Sequence, residues 1–318
     1  MIRFARSVLV AFVAALAVAD AGAQSYPTGR VTLIVPFAPG GPTDIVARTV
    51  MNEVQKGWPQ PVVIENKPGA GGLIGSAYVT QQKPDAHTLL LQGNVPKTAK
   101  LFLKDVPLDP ADLRAVAALG QSSYLLTVNP SLGVKTLADF IKLAKSKPKE
   151  FNYGVIPLNV NELDYYVFQR TAGIQLTPIN YQSAAPIIPA LLRGDVTVYM
   201  GIVSLLQSQV AAGKVTPLAY VGAERHPRLP DVPTARELGL DFVTGYTLGI
   251  YAHAKSPEDS VQKLGRDLVA ALKAPEVVTA LDTAGFQVPA DPLGWGKRIE
   301  GELAKYTEVA RSLNYQPQ

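Results

Sequence analysis

Short apolar runs alternate along this chain with segments whose apolar positions recur every three or four residues. Runs of the first kind predict buried strands, and segments of the second kind predict amphipathic helices. Strands are expected at 31–35, 62–66, 88–91, 116–119, 124–128, 151–156, 175–179, 196–200, 215–221 and 246–252. The first helix places Ile45, Val46, Val50 and Val54 on one face and stops at Gly57; a second runs through Leu73, Ile74, Ala77 and Tyr78. Thr136 opens a third, with Asp139 three residues on as a shortened capping box and Leu137, Phe140, Ile141 and Ala144 as its apolar face. Further helices are expected at 161–172, 185–192 and 205–212, ended by a glycine in the first and last cases (Gly173, Gly213). Ser256-Pro257-Glu258-Asp259 reads as an N-cap, a first-turn proline and two acids; Gly285 ends the next short helix, and Asp291-Pro292 opens a long last one to about 312. Strands alternating with helices predict parallel sheet covered on both faces.

Two strand ends run into glycine turns that open onto helices. After 31–35 comes Pro36-Phe37-Ala38-Pro39-Gly40-Gly41-Pro42-Thr43-Asp44, with Thr43 or Asp44 where an N-cap belongs. After 62–66 comes Lys67-Pro68-Gly69-Ala70-Gly71-Gly72. The backbone N–H groups at such a helix start have no intrahelical partner, and they sit at the positive end of the helix dipole. Each turn is therefore either a candidate anion site or only a tight turn. The N–H groups of 38–43 and of 70–72 are the candidate donors. No Walker-type Lys follows the first loop, and Ile74 stands where a third dinucleotide-fold glycine belongs, so nucleotide readings fail.

These runs, together with Glu65-Asn66, Pro84-Asp85, Thr88-Leu89-Leu90, Lys214 and Arg225-His226-Pro227-Arg228-Leu229-Pro230-Asp231-Val232-Pro233-Thr234, resemble the solute receptors of tripartite tricarboxylate transporters, the Bug family of periplasmic binding proteins. The likeness extends over the chain after its first two dozen residues. It implies an α/β, two-lobed periplasmic binding protein fold (type II-like). Each lobe would be a mainly parallel sheet flanked by helices, joined by two crossover strands near 119–128 and 245–252. Lobe 1 would comprise 24–122 plus 249–318, and lobe 2 would comprise 123–248. It also implies a ligand-binding monomer rather than an enzyme: a small organic carboxylate held between the lobes and handed to membrane subunits. A ligand-binding sensory protein feeding a signalling partner is the alternative.

In the family, the loop matching Phe37, Ala38, Pro39, Gly40, Gly41, Thr43 and Asp44 holds one ligand carboxylate, in part through ordered water. Asp44 would be repulsive facing that ligand, so it is expected to cap its helix. Ala70, Gly71 and Gly72 in the second turn, and Gly93 and Asn94 after the third strand, complete the first-lobe candidates. In the second lobe, Pro186 is expected in a first helical turn capped by Ser183, whose hydroxyl would grip the ligand's distal end with the N–H groups of Ala184 and Ala185. Here the chain departs from its relatives. The small-residue loop ending in His is replaced by Val155, Ile156, Pro157, Leu158, Asn159, Val160 and Asn161, with Glu162 or Leu163 at the His position. The Asp often found after the strand at 198–200 is Gly201. The expected ligand therefore has one carboxylate and a less polar distal body, aliphatic or aromatic, against Phe37, Val155, Ile156, Leu158 and Tyr246.

The first residues belong to no lobe. Arg3 and Arg6 precede an apolar stretch at 7–19 too short for a stable span, and Ala21-Gly22-Ala23 fits a cleavage site. Residues 1–23 are thus a secretory signal peptide, the mature chain starts near Gln24, and the periplasm is the expected compartment. The absence of cysteine excludes lipoprotein attachment and disulfides. A net charge of +4 without basic stripes argues against a nucleic-acid partner. His87, His226 and His253 lack metal-like spacing, and no G-x-S-x-G elbow or H-E-x-x-H occurs. No catalytic residue, metal or cofactor is expected.

Overall fold

The computed structural model describes residues 26–156, 160–181 and 184–317. Its strands are β1 (Val31–Val35), β2 (Val62–Asn66), β3 (Thr88–Gln92), β4 (Leu113–Ser122), β5 (Tyr124–Val128), β6 (Asn152–Val155), β7 (Thr177–Asn180), β8 (Val198–Ile202), β9 (Thr216–Tyr220) and β10 (Tyr246–His253). The α-helices are α1 (Pro42–Gln55), α2 (Leu73–Thr80), α3 (Val95–Thr98), α4 (Leu137–Ser146), α5 (Val160–Ala172), α6 (Ile187–Arg193), α7 (Val203–Ala211), α8 (Glu258–Ala271), α9 (Pro275–Thr283) and α10 (Trp295–Ser312).

The strands form two five-stranded sheets, β2-β1-β3-β10-β4 and β7-β6-β8-β5-β9, and each sheet is the centre of one lobe. β1 lies between β2 and β3 with all five residues buried, which is why it reads as an apolar run broken only by Thr32. It pairs in parallel with both neighbours, so the loops after β1, β2 and β3 leave the sheet at one edge. In the second lobe β6 is parallel to β7 and β8, and the loops after these strands likewise share an edge.

Both sheets are mixed rather than parallel throughout. The chain passes from the first sheet to the second between β4 and β5, and it returns through β10. A strand arriving from the other lobe runs against those that point towards it. β10 is accordingly antiparallel to β3 and β4, and β5 to β8 and β9. Tyr246, at the start of β10, packs against the cores of both lobes.

Helix faces and starts differ from the expected pattern in places. Ile45 and Ile74 are half exposed. The buried stripe of α1 is Val46, Ala47, Val50, Met51 and Val54, and α2 buries Leu73, Gly75, Ser76, Ala77 and Val79. Hydrophobicity alone did not decide these faces, because the sheet beneath admits only one side of each helix. Pro257, not Ser256, occupies the cap position of α8, and no side chain caps it. Asp291 precedes α10 by one turn: its carboxylate accepts the Gly294 N–H at 3.0 Å, and the helix starts at Trp295. That indole is seated over Gly249, where an added Cβ would lie 2.3 Å from the ring.

Beside the crossings, α5 of the second lobe packs on α10 of the first, with Phe102, Val160, Leu163 and Tyr306 forming a small buried cluster. Among the described residues, no helix is long and apolar enough to cross a membrane.

The α4 cap matches its expectation. Thr136 Oγ1 accepts the Asp139 N–H at 3.1 Å and donates to the Asp139 carboxylate at 2.7 Å. Thr136→Ala is expected to lower stability by about 1 kcal/mol in denaturant unfolding, with Thr136→Ser close to wild type.

Candidate functional site

The loop after β1 is organised by a carboxylate. Gly41, extended at φ −74° and ψ 167°, is the N-cap of α1, and Pro42 takes the first position, so neither Thr43 nor Asp44 is the cap. Asp44 lies one turn into the helix and is only 3% exposed. Its Oδ2 accepts the Gly40 N–H at 2.9 Å and Arg48 Nε at 2.9 Å. Its Oδ1 accepts Arg48 Nη2 at 3.1 Å and Asn66 Nδ2 at 2.9 Å. The same Asn66 amide donates to the Phe37 carbonyl at 3.0 Å. Asp44 thus repels nothing in the cleft, because both its oxygens are paired. Desolvation would raise its carboxyl, but the hydrogen bonds from Arg48, Gly40 and Asn66 outweigh it and hold the pKa at about 2.

This arrangement consumes one expected donor, since the Gly40 amide serves Asp44. Among the described residues, the N–H groups of Ala38, Gly41 and Thr43 donate to no protein acceptor. Gly40, at φ +79°, reverses the chain towards them, and Pro39 has no N–H to give. Phe37 is half-buried against the lobe core.

The second turn is more constrained. Gly69, Ala70, Gly71 and Gly72 all have positive φ (127°, 47°, 64° and 96°). Such a run gathers N–H groups into a concave surface. Gly72 donates to the Gly69 carbonyl at 2.9 Å, leaving Ala70 and Gly71 as the donors without a protein partner among the described residues. A Cβ on Gly72 would lie 2.0 Å from Gln92 Nε2. Gln92 is fully buried, and its Oε1 accepts the Gly93 N–H at 2.8 Å. It therefore stands between the second and third loops. Gln92 and Asn66 were missed as site residues, although a polar residue closing an apolar strand was visible at both positions.

Gly93 has no room for a side chain: a Cβ would lie 2.4 Å from the Tyr246 ring, and Tyr251 donates to its carbonyl at 2.8 Å. Burial raises the pKa of the Tyr246 hydroxyl. Asn94 is buried, with Nδ2 directed to Glu302 of α10 at 3.3 Å.

In the second lobe the expected residues are less uniform. Val155 is buried in the lobe core and is no cleft wall; a strand residue next to the last pleat must point one way, and this one points inward. Ile156 packs into a second cluster of the same lobe. Asn161, in the first turn of α5, lies beside the buried Tyr124 hydroxyl. Gly201 leaves space for the Tyr199 ring, which would lie 2.3 Å from an added Cβ, so no Asp side chain fits there without moving it. The Ala184 carbonyl accepts the Ile187 N–H at 3.1 Å, and Ala185 is exposed. Pro186 occupies the cap position of α6 rather than its first turn. Leu158, Asn159 and Ser183 lie outside the described residues.

The histidines hold turns. His87 Nε2 accepts the N–H groups of Thr28 and Gly29, His226 Nδ1 that of Arg228, and His253 Nδ1 that of Lys255. Among the described residues, no cluster of three metal-ligating side chains occurs.

Two α/β sheets joined by crossing strands, with backbone donors gathered at the facing strand ends, define a bilobal periplasmic binding protein. Residues 46–314 match the family described as "Tripartite tricarboxylate transporter family receptor", and the chain belongs to that family. It is 30% identical to Protein BugT of Bordetella pertussis over 92% of each chain. Among solved structures it is similar to Rpa4515 of R. palustris with adipate, at 29% identity and a TM-score of 0.77 over 92% of this chain and all of the other. It is also similar to MatC of Rhodopseudomonas palustris with bound malate, at 30% identity and a TM-score of 0.73 over 90% of this chain and all of the other. Receptors of this family are periplasmic binding proteins, not enzymes.

The Asp44 network has a defined pH signature. A carboxyl held below its ordinary 3.8 contributes stability that is present above that value and lost as pH falls through about 2. Asp44→Asn is expected to lower stability by about 1–2 kcal/mol at pH 7, with the difference from wild type vanishing as the pH approaches 2. Asn66→Ala is expected to speed hydrogen exchange at Gly40, read by mass spectrometry.

Proposed function

We propose that this protein is a periplasmic receptor that captures a small organic carboxylate between its lobes and presents it to membrane subunits of a tripartite tricarboxylate-type transporter. The observation that carries this reading is the set of unpartnered N–H groups at Ala38, Gly41, Thr43, Ala70 and Gly71, gathered where parallel strands end. A carboxylate there needs no Lys or Arg. Hydrogen bonds to a charged acceptor contribute about 1.5–3 kcal/mol each, and two or three of them, with apolar contact, reach the roughly 8 kcal/mol of micromolar binding. The adipate and malate bound by similar structures are both dicarboxylates, which is the chemistry the loops suit.

The second lobe argues for a distal body less polar than malate. Gly201 brings no side-chain carboxylate, and the Tyr199 ring fills the space an Asp would need, while Phe37 and Tyr246 stay partly exposed at the lobe boundary. Residues 1–23 act as the secretory signal, and the receptor works as a monomer. Closure turns on the passages between β4 and β5 and before β10, because only a closed pair of lobes contacts both ends of the ligand.

A thermal-shift panel tests the assignment. Adipate or terephthalate at about a hundred times Kd is expected to stabilise the protein by about 2.7 kcal/mol, with malate and citrate weaker. Stronger stabilisation by citrate would reverse the ligand preference, and no stabilisation by any carboxylate would remove the receptor reading. Gly72→Ala, which drives a methyl into Gln92, is expected to weaken binding at least tenfold by calorimetry while the protein still folds.

A further inference from the structure

One carboxyl sits where both lobes and the returning chain meet. Asp164, on α5 of the second lobe, is fully buried. Its Oδ1 accepts the hydroxyl of Thr244, in the segment leading into β10, at 2.6 Å. The same oxygen accepts the hydroxyl of Tyr306, on α10 of the first lobe, at 2.9 Å. Its Oδ2 is buried with no hydrogen-bond partner among the described residues. The other charged or titratable groups facing it are Lys305 and Glu302 from α10 and Tyr124 from β5.

A buried carboxylate with one bare oxygen is costly, and a neutral carboxyl in the same place costs much less. Separating α5 from α10 would remove Tyr306 and admit water, and the ionised form would then be comfortable. We propose that Asp164 takes up a proton as the lobes close and releases it as they part, so that ligand capture is coupled to pH. This rests on the reading that the two lobes close around a ligand.

The direction follows from the surroundings. Burial raises the carboxyl from its ordinary 3.8 to about 7, against the opposing hydrogen bonds from Thr244 and Tyr306 and the charge of Lys305. A group whose pKa is higher in the closed form favours closure fully below its open-form value, and that contribution is lost as pH rises through about 7. Between those values the closed-to-open ratio falls by up to about tenfold per pH unit, and above about 7 the dependence ends.

Small-angle scattering at about pH 5.5 and about pH 8.5, on wild type and Asp164→Asn, with and without adipate, tests this. Wild type is expected to be more compact at the lower pH, and the neutral variant to be insensitive. In wild type, the carboxyl carbon resonance of Asp164 is expected to titrate near neutrality, a readout that needs no variant. Equal pH responses in both proteins, or a carboxyl still ionised at about pH 5, would overturn the coupling. If adipate compacts wild type equally at both values, the coupling fails and the receptor reading stands. If adipate has no effect but pH alone compacts wild type and not the variant, the coupling stands and the receptor reading fails.

Discussion

A carboxylate taken out of water at the end of a sheet must have its oxygens paired, and in this protein that requirement shapes the loop after β1. Asp44 draws in the Gly40 amide, the Arg48 guanidinium and the Asn66 side chain. Asn66 closes β2 and also holds the Phe37 carbonyl just beyond β1, so one acid ties two neighbouring strand ends together. The loop is consequently fixed with some of its amides pointing away from the protein's own acceptors. The charge that would repel an anionic ligand is neutralised by the contacts that build the candidate site. Removing Asp44 would lose the scaffold as well as the charge.

The second turn reaches the same end by sterics. Its four positive-φ residues are tolerated because three are glycines, and Gly72 is pressed against a buried Gln92 whose amide would have to move for any side chain at 72. Gln92 then spans to the third loop through the Gly93 amide. Three strand ends are thus linked by side chains of Asn66, Asp44 and Gln92, none of which needs to touch a ligand. Affinity in such a site comes from amides held in place before the ligand arrives, so little ordering remains to oppose binding.

Between the lobes the balance is different. Their cores are separate, and they share Tyr246, the α5–α10 cluster and an Arg228–Asp282 ion pair on the surface. The exposed ion pair contributes little in water. Burial of Asp164 against Tyr306 and Thr244 is the contact most sensitive to the state of the surroundings. An interface with few shared apolar contacts and one poorly satisfied acid suits the proposed opening and closing of the lobes.

Much of the fold was legible from residue order. Apolar runs located the strands, Thr136 with Asp139 marked a cap that exists, and Gly40-Gly41 and Gly69-Ala70-Gly71-Gly72 marked the turns that carry the free amides. These are local properties: period, φ preference and the absence of a side chain act over a few residues. What the tertiary structure alone decided involves partners distant in sequence. Asp44 looked like a cap and proved to be the anchor of Asn66, 22 residues away. Val155 looked like a cleft wall but faces the core, and Ile45 and Ile74 looked buried but face water. The antiparallel course of β10 and the meeting of Asp164 with Tyr306, 142 residues later, follow from how the chain returns between the lobes. A linear pattern records whether a residue favours burial, but which surface covers it is set only when the sheets, helices and crossings are packed together.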